Sequence, residues 1–129
     1  MQFSKHESEV MRLLWDVGRP LTKTEIVELS INKSWKPSTI HLLLNSLLDK
    51  SAIQIEGFTR TGRNYGRMFS SAITEEEYAS HQIAGSLRQV SGRTLAGIFS
   101  TLLDSNSVDQ DTLDELQKML EEKKRELDQ

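Results

Sequence analysis

The apolar residues change period partway along the chain, and that change limits the fold more than any other feature. Ile40, Leu43, Leu44, Leu47 and Leu48 recur at the spacing of one face of a helix. Ile53 and Ile55 then alternate with Gln54 and Glu56, and Tyr65, Arg67 and Phe69 alternate with Gly66 and Met68. Alternation by two marks strands, because successive side chains of a strand point to opposite faces. A helix is therefore followed by a β-hairpin. The stretch Gly57-Phe58-Thr59-Arg60-Thr61-Gly62-Arg63 reads as its loop, with Gly62 able to take positive φ.

Two further helices precede this one. Ser4 and Glu7 have the spacing of a capping box, in which each side chain satisfies a free backbone N–H of the other residue. Val10, Met11, Leu14 and Trp15 form the stripe behind it, and Gly18-Arg19-Pro20 stops the helix. Thr22 and Glu25 repeat the capping signal ahead of Ile26, Val27 and Leu29, and Ile31-Asn32-Lys33-Ser34 breaks the pattern. Pro37 suits the first turn of the third helix, where its missing N–H has no partner to lose. Helix, helix, helix, hairpin is the layout of a winged helix. Its third helix enters the major groove, and its wing touches the flanking backbone.

The outward side of the third helix supports that role. Ser38, Thr39, His41, Leu42, Asn45 and Ser46 lie opposite the leucine stripe, with Lys36 just ahead of them. Surface helices usually carry Glu and Lys on such a face. This one is small and hydrogen-bonding, suited to base edges, and Leu42 suits a thymine methyl. Arg60, Arg63 and Arg67 follow on the hairpin and suit phosphates. The same fold without DNA would serve as a protein–protein interaction module, which is the alternative reading.

The rest of the chain is helical. Thr74 and Glu77 form a third capping pair, and Asp109 caps a final helix. Leu95, Ile98, Phe99, Leu102 and Leu103 cluster at helical spacing, as do Leu113, Leu116 and Leu120, with Asp104–Ser107 read as the loop between them. So much apolar surface on a short tail points to an interface with a second copy. The expected fold is mainly α with a small β-hairpin. A winged helix-turn-helix DNA-binding domain occupies residues 1–72, and a helical dimerisation domain occupies residues 73–129. The expected partner is double-stranded DNA with a palindromic site.

Charge follows the same division. Residues 1–72 carry 10 Lys and Arg against 7 Asp and Glu, whereas residues 73–129 carry 6 against 12. A polyanion partner fits the first half only. No cysteine is present, so disulfides and thiolate metal sites are excluded. The histidines His6, His41 and His81 share no ligand spacing, so neither metal nor cofactor is expected. Glu75-Glu76-Glu77 sits in a first helical turn, where acids favour the dipole, and no nucleophile elbow or phosphate loop occurs. No enzyme is expected. Neither a signal-peptide core nor a spanning apolar run appears, which predicts a soluble cytoplasmic protein.

Over nearly its whole length the chain resembles the penicillinase-repressor family. The resemblance is carried by Glu7, Glu9-Val10-Met11 and Trp15, by Trp35-Lys36-Pro37-Ser38-Thr39-Ile40 leading into Leu43, Leu44 and Leu47, by Tyr65, and by Leu113-Asp114-Glu115-Leu116. It implies a winged-helix dimer that represses transcription at inverted repeats. It further implies relief when a signal-activated membrane sensor-protease leads to cleavage in the dimerisation domain. Leu42 and Ser46 replace a Thr and an Arg typical of the family's recognition helix, and Ser51 replaces a Gly. The family's Asn-Phe scissile bond aligns with Thr101-Leu102, and the cysteine cluster of the copper-responsive branch is absent.

Overall fold

The computed structural model describes the backbone of residues 1–129 and the side chains of all but Thr61 and Asn64. The chain forms two compact units, Met1–Gly85 and Ser86–Gln129.

In the first unit, α1 (Lys5–Val17) begins at the Ser4–Glu7 capping box and ends at Gly18, whose φ of 70° places it in the left-handed region. A second complete capping box, Thr22 with Glu25, starts α2 (Lys23–Leu29). Glu9 takes hydrogen bonds from the backbone N–H and hydroxyl of Ser34, tying the following connection to α1. A 3-10 turn at Pro37–Thr39 then leads into α3 (Ile40–Asp49). The leucine stripe faces inward: Ile40, Leu44 and Leu47 join Val10, Met11 and Leu14 of α1 and Ile26 of α2 in the core.

Strands β2 (Ile53–Thr61) and β3 (Asn64–Ser71) form the hairpin. Its ladder runs further than the sequence suggests. Residues Gly57–Thr61 are strand rather than loop, and only Gly62 and Arg63 turn between the arms. The glycine signal at 57 marks a bulge: Ile55 pairs with Phe69 and Phe58 with Arg67, so β2 carries one extra residue there. Gly57 has a φ of 91°. A two-residue strand, β1 (Leu21–Thr22), adds to β3 and gives the sheet order β1-β3-β2.

Helix α4 (Glu75–Leu87) begins in the first unit. Tyr78 stacks on Phe3 with ring centroids 4.3 Å apart, and Glu75 pairs with Arg12 at 2.6 Å. The first unit therefore extends past residue 72, and α4 joins it through these long-range contacts.

The second unit contains α5 (Gly92–Ser105) and α6 (Gln110–Leu127), capped by Ser91 and Asp109. Asp104 and Ser105 are helical, so the connection is shorter than expected. Neither helix has a buried residue. Leu95, Ile98 and Leu116 are half-buried, while Phe99, Leu102, Leu103, Leu113 and Leu120 are exposed. Among the described residues, no helix is long and apolar enough to cross a membrane.

Candidate nucleic-acid interface

Burial of Ile40, Leu44 and Leu47 fixes the rotation of α3, so His41, Leu42 and Asn45 face outward. Ser38, His41, Leu42 and Asn45 are exposed, as is Lys36 ahead of the turn. Thr39 is half-buried, and its hydroxyl donates to the Lys36 carbonyl at 2.7 Å, bracing the turn that opens α3.

Cross-strand register sets the wing. Directly opposed residues of an antiparallel pair share a face. Arg60 opposes Tyr65 and Phe58 opposes Arg67, so these four side chains lie on one side of the hairpin. Phe69 lies on that side too, two residues from Arg67, with the Arg67 guanidinium 5.5 Å from its ring centroid. Because Phe69 is core, this side of the wing adjoins α3. The outcome is a groove of about 350 Å3, lined by Lys23 and Thr24 of α2, His41 and Asn45 of α3, and Tyr65 and Arg67 of β3. Arg60 reaches toward the tip, its Nε donating to the Gly62 carbonyl at 3.2 Å, and Arg63 is exposed in the turn.

His41, Asn45 and Arg67 thus converge, while Lys36, Ser38, Leu42, Arg60 and Arg63 extend the surface outside the groove. Ser46 departs from the expected set: its hydroxyl donates to Glu7 Oε2 at 2.7 Å, turned toward α1 instead of outward. Lys23, Thr24 and Tyr65 were missed. The Thr22–Glu25 capping box was the available signal for the first two, because it fixes where α2 begins.

Electrostatics favour an anion. Among the described residues, none of Lys23, Lys36, Arg60, Arg63 and Arg67 joins an ion pair. Their charge is left without an ion-pair partner, as phosphate contact requires. Glu7 behaves in the opposite way. Burial pushes its carboxyl up, but Lys50, the Ser4 N–H and the Ser46 hydroxyl outweigh this and lower it to about 2. That charge is internal and structural.

A helix-turn-helix with a polar second helix beside a cationic hairpin is a winged-helix DNA-binding module. The family described as Penicillinase repressor matches residues 3–122, and the chain belongs to that family of transcriptional repressors. The penicillinase repressor of Bacillus licheniformis is 28% identical over 123 residues, 95% of this chain and 92% of that protein. An uncharacterised 16.5 kDa protein of Latilactobacillus sakei is 24% identical over 119 residues, 92% of this chain and 78% of that one. Among solved structures, the adhesin competence repressor of Streptococcus pyogenes aligns over 99% of this chain and 82% of its own, with 17% identity and a TM-score of 0.41.

Proposed function

We propose that the protein is a homodimeric cytoplasmic repressor of an inverted-repeat operator. His41, Asn45, Ser38 and Leu42 of α3 read base edges in the major groove. Arg60, Arg63 and Arg67, with Lys23 and Lys36, engage phosphates. The observation that carries this reading is the groove in which His41 and Asn45 of α3 meet two cations without ion-pair partners among the described residues, Lys23 of α2 and Arg67 of the wing.

Two copies join through α5 and α6. In support, those helices have no fully buried residue in one chain while presenting Phe99, Leu102, Leu103 and Leu120. Relief of repression through a membrane sensor-protease is the family's implication. The aligned bond Thr101–Leu102 lies well inside α5, where the Thr101 hydroxyl donates to the Gly97 carbonyl at 3.1 Å. Cleavage there requires the helix to open first.

The test is titration of the protein against its own promoter region at several salt concentrations, with footprinting. A protected inverted repeat and an affinity that falls steeply with salt are expected, since neutralising phosphates releases counterions. Weak binding at every salt would instead leave the fold as an interaction module.

A further inference from the structure

We infer that residues 1–7 clamp the recognition helix to α4, and that Phe3, Glu7 and Lys50 are positioning residues setting which half-site spacing the dimer accepts. This rests on the dimeric reading above.

Lys50 closes α3, and three features of the N-terminal segment meet it. Its Nζ donates to Glu7 Oε1 at 2.6 Å and to the Gln2 carbonyl at 2.9 Å, and lies 5.9 Å from the Phe3 ring centroid. Ser46, one turn earlier, donates to the other Glu7 oxygen. Glu7 is buried, with 3% of its surface exposed. The pair resists slippage because separating it strands the buried Glu7 carboxylate away from water, although the Lys50 side chain itself is half-exposed.

The same segment grips α4 from its other side. The Phe3 ring lies nearly parallel to that of Tyr78, with 10° between the planes, and the Phe3 N–H donates to Tyr78 Oη at 3.3 Å. Gln82 Nε2 donates to the Met1 carbonyl at 2.6 Å. Leading segments of a domain usually fray unless tied down. This one is tied at both ends of a path from the last turn of α3 to α4, the last helix before the second unit. The core formed by Val10, Met11 and Leu14 needs no such link. A dimeric reader does, because a loose joint between reading helix and dimer would average over half-site separations.

The experiment uses the full chain and an inverted repeat selected by the wild-type protein from a random duplex pool. Duplexes carrying the selected spacing, a spacing lengthened by about one base pair, and a single half-site are compared. The variants are Lys50→Met, Phe3→Ala and Tyr78→Phe, the last removing only the hydroxyl that receives the Phe3 N–H. The preference for the selected spacing should fall roughly two- to thirty-fold. Half-site affinity and the sedimenting dimer should be unchanged, and Lys50→Arg should restore the preference. Should Phe3→Ala not fold, Lys50→Met and Tyr78→Phe decide. Variants that keep the wild-type preference, or that weaken half-site and full-site binding in equal proportion, overturn the clamp. A wild type that is monomeric or indifferent to spacing instead removes the dimeric reading, and the clamp falls with it.

Discussion

The two units differ most in what they do with their apolar residues. The first buries Val10, Met11, Leu21, Ile26 and Leu47 so fully that none retains accessible surface. The second places Phe99 at 52% exposed and Leu120 at 65%. Both units contain amphipathic helices with side-chain caps, α1 and α2 in the first and α5 and α6 in the second, so local propensity does not separate them. What separates them is tertiary cover. In the first unit a sheet and three helices close on one another, whereas the stripes of α5 and α6 are covered only in part, with Leu95, Ile98 and Leu116 half-buried and none fully buried. The first unit carries its own stability. On the proposed dimeric reading the second derives its stability from the partner copy, and its folding should depend on concentration.

The largest expected effects break that contrast from either side. Leu47→Ala removes a fully buried side chain and should destabilise the first unit by about 2–5 kcal/mol. Its denaturation midpoint should fall equally at every protein concentration. Phe99→Asp should leave that midpoint alone and raise the dimer dissociation constant by orders of magnitude, because burying an unpaired carboxylate costs several kcal/mol. Sedimentation and denaturant melts of both variants provide the check. An unchanged dimer in Phe99→Asp would remove α5 from the interface.

Acid should separate the units next. The Glu7 carboxyl is lowered from 4.5 to about 2 in the folded chain. A depressed folded value contributes stability above the unfolded value, and that contribution is lost as pH falls toward the folded one. About 3 kcal/mol of first-unit stability should therefore disappear between pH 4.5 and 2. Denaturation at pH 7, 4.5 and 3 should show this in the wild type. In Glu7→Gln, the loss over that range should be much smaller.

Changes on the proposed DNA-facing surface are expected to leave the second unit untouched. Asn45→Ala should relax discrimination at one base position by about 1–3 kcal/mol. Arg60→Ala and Arg63→Ala should instead weaken all duplexes alike and lower the salt slope by about one each. Titrations on matched and mismatched operators separate these outcomes. Arginine variants that alter base preference while Asn45→Ala does not would move the reading element from α3 to the wing.

Most of this architecture was legible because its signals are local. A capping box spans one helical turn, so Ser4–Glu7 and Thr22–Glu25 marked the starts of α1 and α2 directly. The leucine stripe of α3 and the alternation after Ile53 act over similarly short spans. What escaped is nonlocal. Strand β1 has two residues, too few for any period, and exists through pairing with Phe69 and Met68. The glycine at 57 resembles a loop residue but sits at a bulge, which only the partner strand reveals. Ser46 is drawn inward by a carboxylate 39 residues away, and α4 is held by an aromatic stack spanning 75. Both contacts join residues that no helical or strand spacing connects.

The smallest expected effect sharpens the contrast, because it should stabilise one unit alone. Ser51 stands where the family resemblance places glycine, and its φ is 59°. The left-handed conformation crowds Cβ against the following carbonyl and disfavours a serine by about 1 kcal/mol. Its position explains why the chain bends there: the Ser51 N–H donates to the Leu48 carbonyl at 3.0 Å, and the Ala52 N–H donates to Leu47 at 3.0 Å. These bonds turn the chain from the end of α3 into β2. Glycine adopts that conformation without the clash but gives back some of the gain in unfolded-state entropy. Ser51→Gly should therefore stabilise the first unit by about 0.5 kcal/mol. Paired denaturation curves for wild type and variant, taken at two protein concentrations, are the measurement. The first-unit midpoint should rise equally at both, while the dimer dissociation constant stays fixed. A fall in that midpoint would mean that the serine side chain contributes more at this turn than its backbone strain removes.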